Sequence, residues 1–200
     1  MRRADEEPEE KDDEKSKSPE PQNSEIAKAL FKSRTVLIFG EVDMKMAERV
    51  TAQLLAYAES EGDIRVILNS PGGHVESGDT VHDVIRFVGN RVKIIGTGWV
   101  ASAGALIYVA VPVENRYSLP NTRFMLHQPS GGVGGQATDI SIEAQEILKM
   151  RDRLNKIFSV QTGQPVERVE RDTDRNFWMS AEEAKQYGLV GKVITSQADF

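Results

Sequence analysis

The sequence predicts an α/β fold built on a largely parallel sheet. Three observations point there: short apolar strands alternate with helical segments, the strands stop at glycine or Pro-Gly turns, and the segments between them suit crossover helices. Residues 1–23, "MRRADEEPEEKDDEKSKSPEPQN", stand apart. They are charged and proline-bearing with almost nothing to bury, so they read as a disordered acidic tail, or as an acidic docking arm, ahead of one folded domain over 24–200.

Within that domain "TVLIFG" (35–40) is a strand closed by glycine, and residues 44–60 carry apolar side chains at helical spacing. "DIRVILN" (63–69) is a strand that stops at Ser70-Pro71-Gly72-Gly73. Residues 75–90 read as a helix, 91–98 as the next strand, and "SAGALIYVA" (102–110) as a helix following it directly. "RFMLHQ" (123–128) is a further strand, and the glycine-rich loop "SGGVGGQ" (130–136) leads into a long helix over about 137–161. Pro165 suits the first turn of the next helix. Ser180 and Glu183 form a capping box opening a short helix, and "LVGKVI" (189–194) closes as a strand.

Composition excludes several function classes. A chain of 200 residues buries a sizeable core without staples, and its lack of cysteine removes disulfides, thiolate zinc sites and cysteine nucleophiles together. That fits a reducing compartment. A net charge of -6 argues against nucleic-acid or anionic-membrane partners. The run "ALIYVAVPV" from Ala105 falls far short of the about 20 residues a bilayer span needs. Met1-Arg2-Arg3 is followed by acid, so no secretory signal is expected and the default location is the cytoplasm. No GxxxxGK[ST] run occurs, so the chain is not expected to hydrolyse nucleotides itself.

Three features could carry chemistry. In "NSPGGHV" paired glycines leave backbone N–H groups open to close approach, either as a plain strand-to-helix turn or as a hole for a developing oxyanion. Ser102 in "GWVASAGALI" lacks a GxSxG elbow, because Val100 holds the first glycine position. It reads as a helix N-cap or as a nucleophile surrounded by small neighbours. His127 ends a buried strand beside a flexible loop, where ligands meet open sheets, and its position suits a general base. Of the other histidines, His82 reads as a half-exposed helix residue, and His74 as a weak competitor beside the glycine pair. The cluster "ERDTDRNFWMS" (170–180) reads as a solvated turn carrying Asp172 and Asp174.

Taken in order, "LNSPGGHV", "GWVASAGA", "NTRFMLHQPSGGVGGQATDI", "EILKMRDRLN", "TGQPVERVERDTDR" and "SAEEAKQYGLVGKVI" resemble the proteolytic subunits of the Clp protease family, over about residues 35–194. The resemblance implies a spiral of ββα units, shared with the crotonases, with a protruding handle helix. It implies a serine endopeptidase without cofactor or metal. Ser102 would be the nucleophile, His127 the base, and Gly73 and Ala103 the oxyanion-hole amides, with Gly131, Gly132 and Val133 lying beside bound peptide. Two stacked seven-membered rings would enclose the sites, fed with polypeptide by an AAA+ unfoldase. The family's triad aspartate falls on Asn176 here, which leaves Asn176, Asp172 or Asp174 to support His127. The segment before the first strand also departs from the family, lacking its usual aromatic residues. Two alternatives remain: a weakly active or regulatory ring subunit needing a paralogous partner, and a crotonase-like acyl-CoA enzyme.

Overall fold

The computed structural model describes residues 21–89, 91–132 and 134–200. The expected tail lies outside them up to residue 20, and its last three residues belong to a helix. Among the described residues the order is α1 (Pro21–Lys32), β1 (Thr35–Phe39), α2 (Met44–Ala58), β2 (Ile64–Ser70), α3 (Val75–Val88), β3 (Val92–Ala101) and α4 (Ala103–Tyr108). There follow β4 (Arg116–Ser118), β5 (Arg123–Leu126), α5 (Ala137–Thr162), α6 (Val166–Thr173), β6 (Phe177–Ser180), α7 (Ala181–Tyr187) and β7 (Lys192–Val193).

The strands β1, β2, β3, β4 and β7 lie side by side in that order and are all parallel. One face of this sheet is core: Val36, Ile38, Ile64, Val66, Leu68, Val92 and Ile94 are fully buried. The helices α2 and α3 pack against each other, and α3 also packs against α4. Asp43 caps α2 through Met46 N (2.7 Å), and α7 opens on the expected capping box between Ser180 and Glu183.

The strand β3 runs three residues past its expected end and changes partners as it does so. Leu68 pairs with Gly96 but Ser70 with Val100, so β3 uses four residues where β2 uses two. The extra residues form a bulge around Gly98, whose φ of +58° is left-handed and whose Cα faces the Asn69 side chain. Asn69 Oδ1 holds the bulge by accepting from Trp99 N at 3.0 Å. Before the bulge β3 pairs with β4; after it, Trp99–Ala101 pair with Arg123–Met125 of β5, and β5 pairs antiparallel with β6. The bulge therefore aims the end of β3 into a second, smaller sheet.

Neither β4 nor β6 was expected. A three-residue strand shows no periodicity, and the residues of β6 sit among charges that read as a solvated turn. The helix α1 was not expected either. The helix α5 matches its expected span within one residue. Its residues 137–146 are all exposed and only Leu154, Asn155 and Phe158 are buried, so its first half is free of the core.

Candidate active site

Ser102 sits between β3 and α4 with φ 54° and ψ −123°. Such a conformation costs a non-glycine residue about 1–3 kcal/mol and is held only by its surroundings. Here the Ser102 amide donates to Met125 O (2.9 Å), while its carbonyl accepts from Ala105 N (2.9 Å) and Leu106 N (3.2 Å). Ser102 occupies the N-cap position of α4, yet its side chain makes no capping bond. The hydroxyl turns to His127 instead, with Nε2 2.7 Å from Oγ.

The glycine pair closes on the same serine. Gly72 has φ +101°, and a Cβ there would lie 2.5 Å from Ser102 Cβ and 3.0 Å from its Oγ. No larger residue fits at 72, a contact that the sequence did not reveal. Gly73 forms an isolated parallel bridge with Val42, in which Val42 N donates to Gly72 O and His74 N to Val42 O, both at 2.8 Å. That ladder leaves out the Gly73 N–H. Ala103 opens α4, so its N–H likewise precedes the first bonds onto Ser102 O. Among the described residues these two amides take no partner, one beside the residue touching Ser102 and one directly after Ser102.

The pairing of β5 with β6 explains the third partner. Leu126 lies opposite Phe177 in an antiparallel register, so the next pair outward is His127 with Asn176. Burial pushes the His127 pKa below the ordinary imidazole value, and a hydrogen bond with the Asn176 side chain works in the opposite direction. The two acids left open by the sequence point elsewhere. Asp172 accepts from Tyr187 Oη at 2.9 Å and lies 3.5 Å from Arg168 Nε. Asp174 faces Arg151 and Arg175, each at 3.7 Å, and takes a 3.3 Å bond from Gln128 Nε2. Of these three candidates, Asn176 is the one that reaches the imidazole.

The remaining histidines stand aside from this arrangement. His74 occupies the N-cap position of α3 without a side-chain capping bond, its Nδ1 3.0 Å from Ser77 Oγ and its Nε2 3.2 Å from Glu76. His82 is not half-exposed: only 6% of it is accessible, because α3 is covered by α2 on one side and α4 on the other. Gly131 and Gly132 lie in the loop before α5; among the described residues a Cβ at Gly132 would meet nothing within 4 Å, and one at Gly131 would meet Ile147 at 3.5 Å. Val133, the third residue expected beside a bound peptide, is outside the described residues. Among the described residues no group of three or more His, Asp or Glu could hold a metal ion, and no helix is long and apolar enough to cross a membrane.

Known proteins share this arrangement of segments. The model of the Clp protease family matches residues 17–197. The chain is 58% identical over 181 residues to the ATP-dependent Clp protease proteolytic subunit 3 of Rhizobium johnstonii, covering 90% of this chain and 93% of that one. It is 55% identical over 171 residues to proteolytic subunit 2 of Pseudomonas aeruginosa, covering 85% of each. Among solved structures, ClpP1 from Listeria monocytogenes superposes with a TM-score of 0.79 at 49% identity, over 87% of this chain and 98% of that one. An asparagine-to-aspartate mutant of the same ClpP1 gives 0.81 at 49% identity, over 86% and 98%. These superpositions bear out the fold class expected from the sequence. Identity near half or more, sustained from the first helix to the last strand, is far more than a shared fold requires: the chain belongs to the Clp protease family, as a proteolytic subunit of the serine-peptidase type.

Proposed function

We propose that this chain cleaves unfolded polypeptides with Ser102 as nucleophile, inside a barrel of two stacked seven-membered rings supplied by an AAA+ unfoldase in the cytoplasm. The observation that carries the reading is the 2.7 Å approach of His127 Nε2 to Ser102 Oγ. Ser102 Oγ attacks the scissile carbonyl carbon while its proton passes to His127 Nε2. The carbonyl oxygen becomes an oxyanion that the Gly73 and Ala103 amides receive. As the C–N bond breaks, His127 returns the proton to the leaving amine. Water then attacks the acyl group with His127 again as base, which frees Ser102. Asn176 orients the ring without adding charge, and Gly131, Gly132 and Val133 pair with the extended substrate.

A fluorophosphonate probe is expected to label Ser102 in the assembled particle. Ser102→Ala should abolish both the label and peptide hydrolysis. Hydrolysis that survives Ser102→Ala at the wild-type rate would overturn the assignment.

One observation favours a second reading, in which the chain is weakly active alone and works in a mixed barrel: the group beside His127 is the neutral Asn176. Peptidase assays on the chain alone and with a paralogous ring separate the two. The acyl-CoA alternative has no observation in its favour.

A further inference from the structure

We infer that the sheet face running back from His127 carries a subsite for an aromatic side chain of the polypeptide substrate, built from Trp99, Trp178 and Arg123. The inference rests on the peptidase reading above and names what that site selects. The inner face of this small sheet is core, with Val100, Phe124 and Leu126 fully buried and Met179 3% exposed. Alternation then sends Trp99, Arg123 and Trp178 to the opposite face. The same alternation puts His127 and Asn176 on that face, at its far end.

Both indoles are left open there, Trp99 with 48% and Trp178 with 36% of its surface accessible. Their rings meet edge to face, with centroids 6.0 Å apart and planes at 75°. Arg123 Cζ lies 4.4 Å from the centroid of the Trp178 ring. Among the described residues its guanidinium makes no hydrogen bond or ion pair, so the stacking alone positions it. Arg123 and Trp178 line an open hollow of about 470 Å³ together with Pro120, Ser180 and Glu183.

The lining selects the occupant. The Glu183 carboxylate, which accepts from Ser180 N and Oγ, both at 2.8 Å, offsets the Arg123 guanidinium in the same hollow, so the lining is suited to a ring rather than to a charge. Arg123 stacks on Trp178 and also lines the hollow, so it can offer a ring entering there a second cation–π contact. An incoming aromatic residue would gain that contact and an edge-to-face contact with an indole, whereas an aliphatic or amide side chain gains neither.

Position follows from strand geometry. Trp178 is two residues from Asn176, and Arg123 is four from His127. At the rise of a strand these are about 7 and 13 Å from the reacting pair, the span of two to four residues of extended peptide. The subsite lies back along β5 and β6 from His127 and Asn176, so it is expected to read residues on one side of the scissile bond.

Trp99 and Trp178 are the two tryptophans of the chain, which makes the test direct. The assembled full-length Ser102→Ala protein is titrated with peptides that differ only in carrying Phe, Gln or Glu two to four residues from the cleavage site, on each side in turn. Tryptophan emission is the readout. A saturable change is expected for Phe on one side, with affinity about five- to tenfold above the Gln peptide. In Arg123→Gln that ratio should fall to within about twofold. An emission insensitive to the Phe peptide, a Glu peptide bound as tightly, or a particle mass altered by Arg123→Gln would overturn the inference. The last outcome would make this face a contact between copies. Hydrolysis by the wild-type protein is measured separately, so failure of the peptidase reading is seen apart from failure of the subsite.

Discussion

At the scale of single residues, the proposed chemistry turns on Asn176. It meets His127 with an uncharged amide, so the imidazolium formed during attack has no fixed anion beside it. Asn176→Asp supplies one. The account predicts a turnover increase of about 10- to 100-fold, below the roughly 10⁴ that separates the two residues in a fully buried triad, because Asn176 is exposed. An unchanged rate would mean that another group already stabilises the cation. The pH dependence follows with a definite sign. On the proposed mechanism His127 acts as a base and must be neutral, and burial lowers its pKa, so the acid limb of kcat/KM should lie below that of an ordinary imidazole. The new carboxylate favours protonated His127, and the limb in Asn176→Asp should move to higher pH.

At the scale of elements, the strand-to-loop junctions set the site, and they were unevenly legible. The strand before and the helix after "NSPGG", the helix after Ser102 and the capping box of α7 are legible from spacing and turn chemistry. The bulge at Gly98 could not, because only the pairing of Asn69 with Trp99 N shows that β3 bends there. The partner of His127 was reached by matching to a family, while the physical reason, the β5–β6 register, lay in a strand hidden among charges. Ser102 illustrates the limit most plainly. Its sequence neighbours suit a cap as well as a nucleophile, and only φ 54° with the 2.7 Å bond to His127 separates them. Arg116 left no sequence signal at all. It is 1% exposed and donates to the carbonyls of Val111 (2.8 Å), Gln161 (2.7 Å) and Val109 (3.4 Å), bracing the loop after α4 against the end of α5. Burial holds its pKa down to about 10, and no carboxylate hydrogen-bonds to it among the described residues. Arg116→Leu strands those acceptors and should cost about 3 kcal/mol or more, lowering Tm by about 6–12 °C. Thermal unfolding that matches wild type would show that water replaces the guanidinium.

At the scale of the whole molecule, one chain leaves much apolar surface open: Phe87 is 82%, Val160 78%, Met44 65% and Phe39 50% exposed. A stable monomer seldom presents so many large apolar side chains, and assembly would cover part of them. Light scattering should find a particle of seven or fourteen times the 22.2 kDa chain mass. A stable, active monomer would contradict the barrel. The central claim is narrower: residues 73, 102–103 and 127, far apart in the chain, act together on one carbonyl. A crystal structure of the protein treated with a peptidyl boronic acid tests it most directly. The account predicts boron bonded to Ser102 Oγ, one boronate oxygen within hydrogen-bond reach of both the Gly73 and Ala103 amides, and His127 Nε2 beside the adduct. Boron bonded elsewhere, or an oxygen turned away from those two amides, would contradict it.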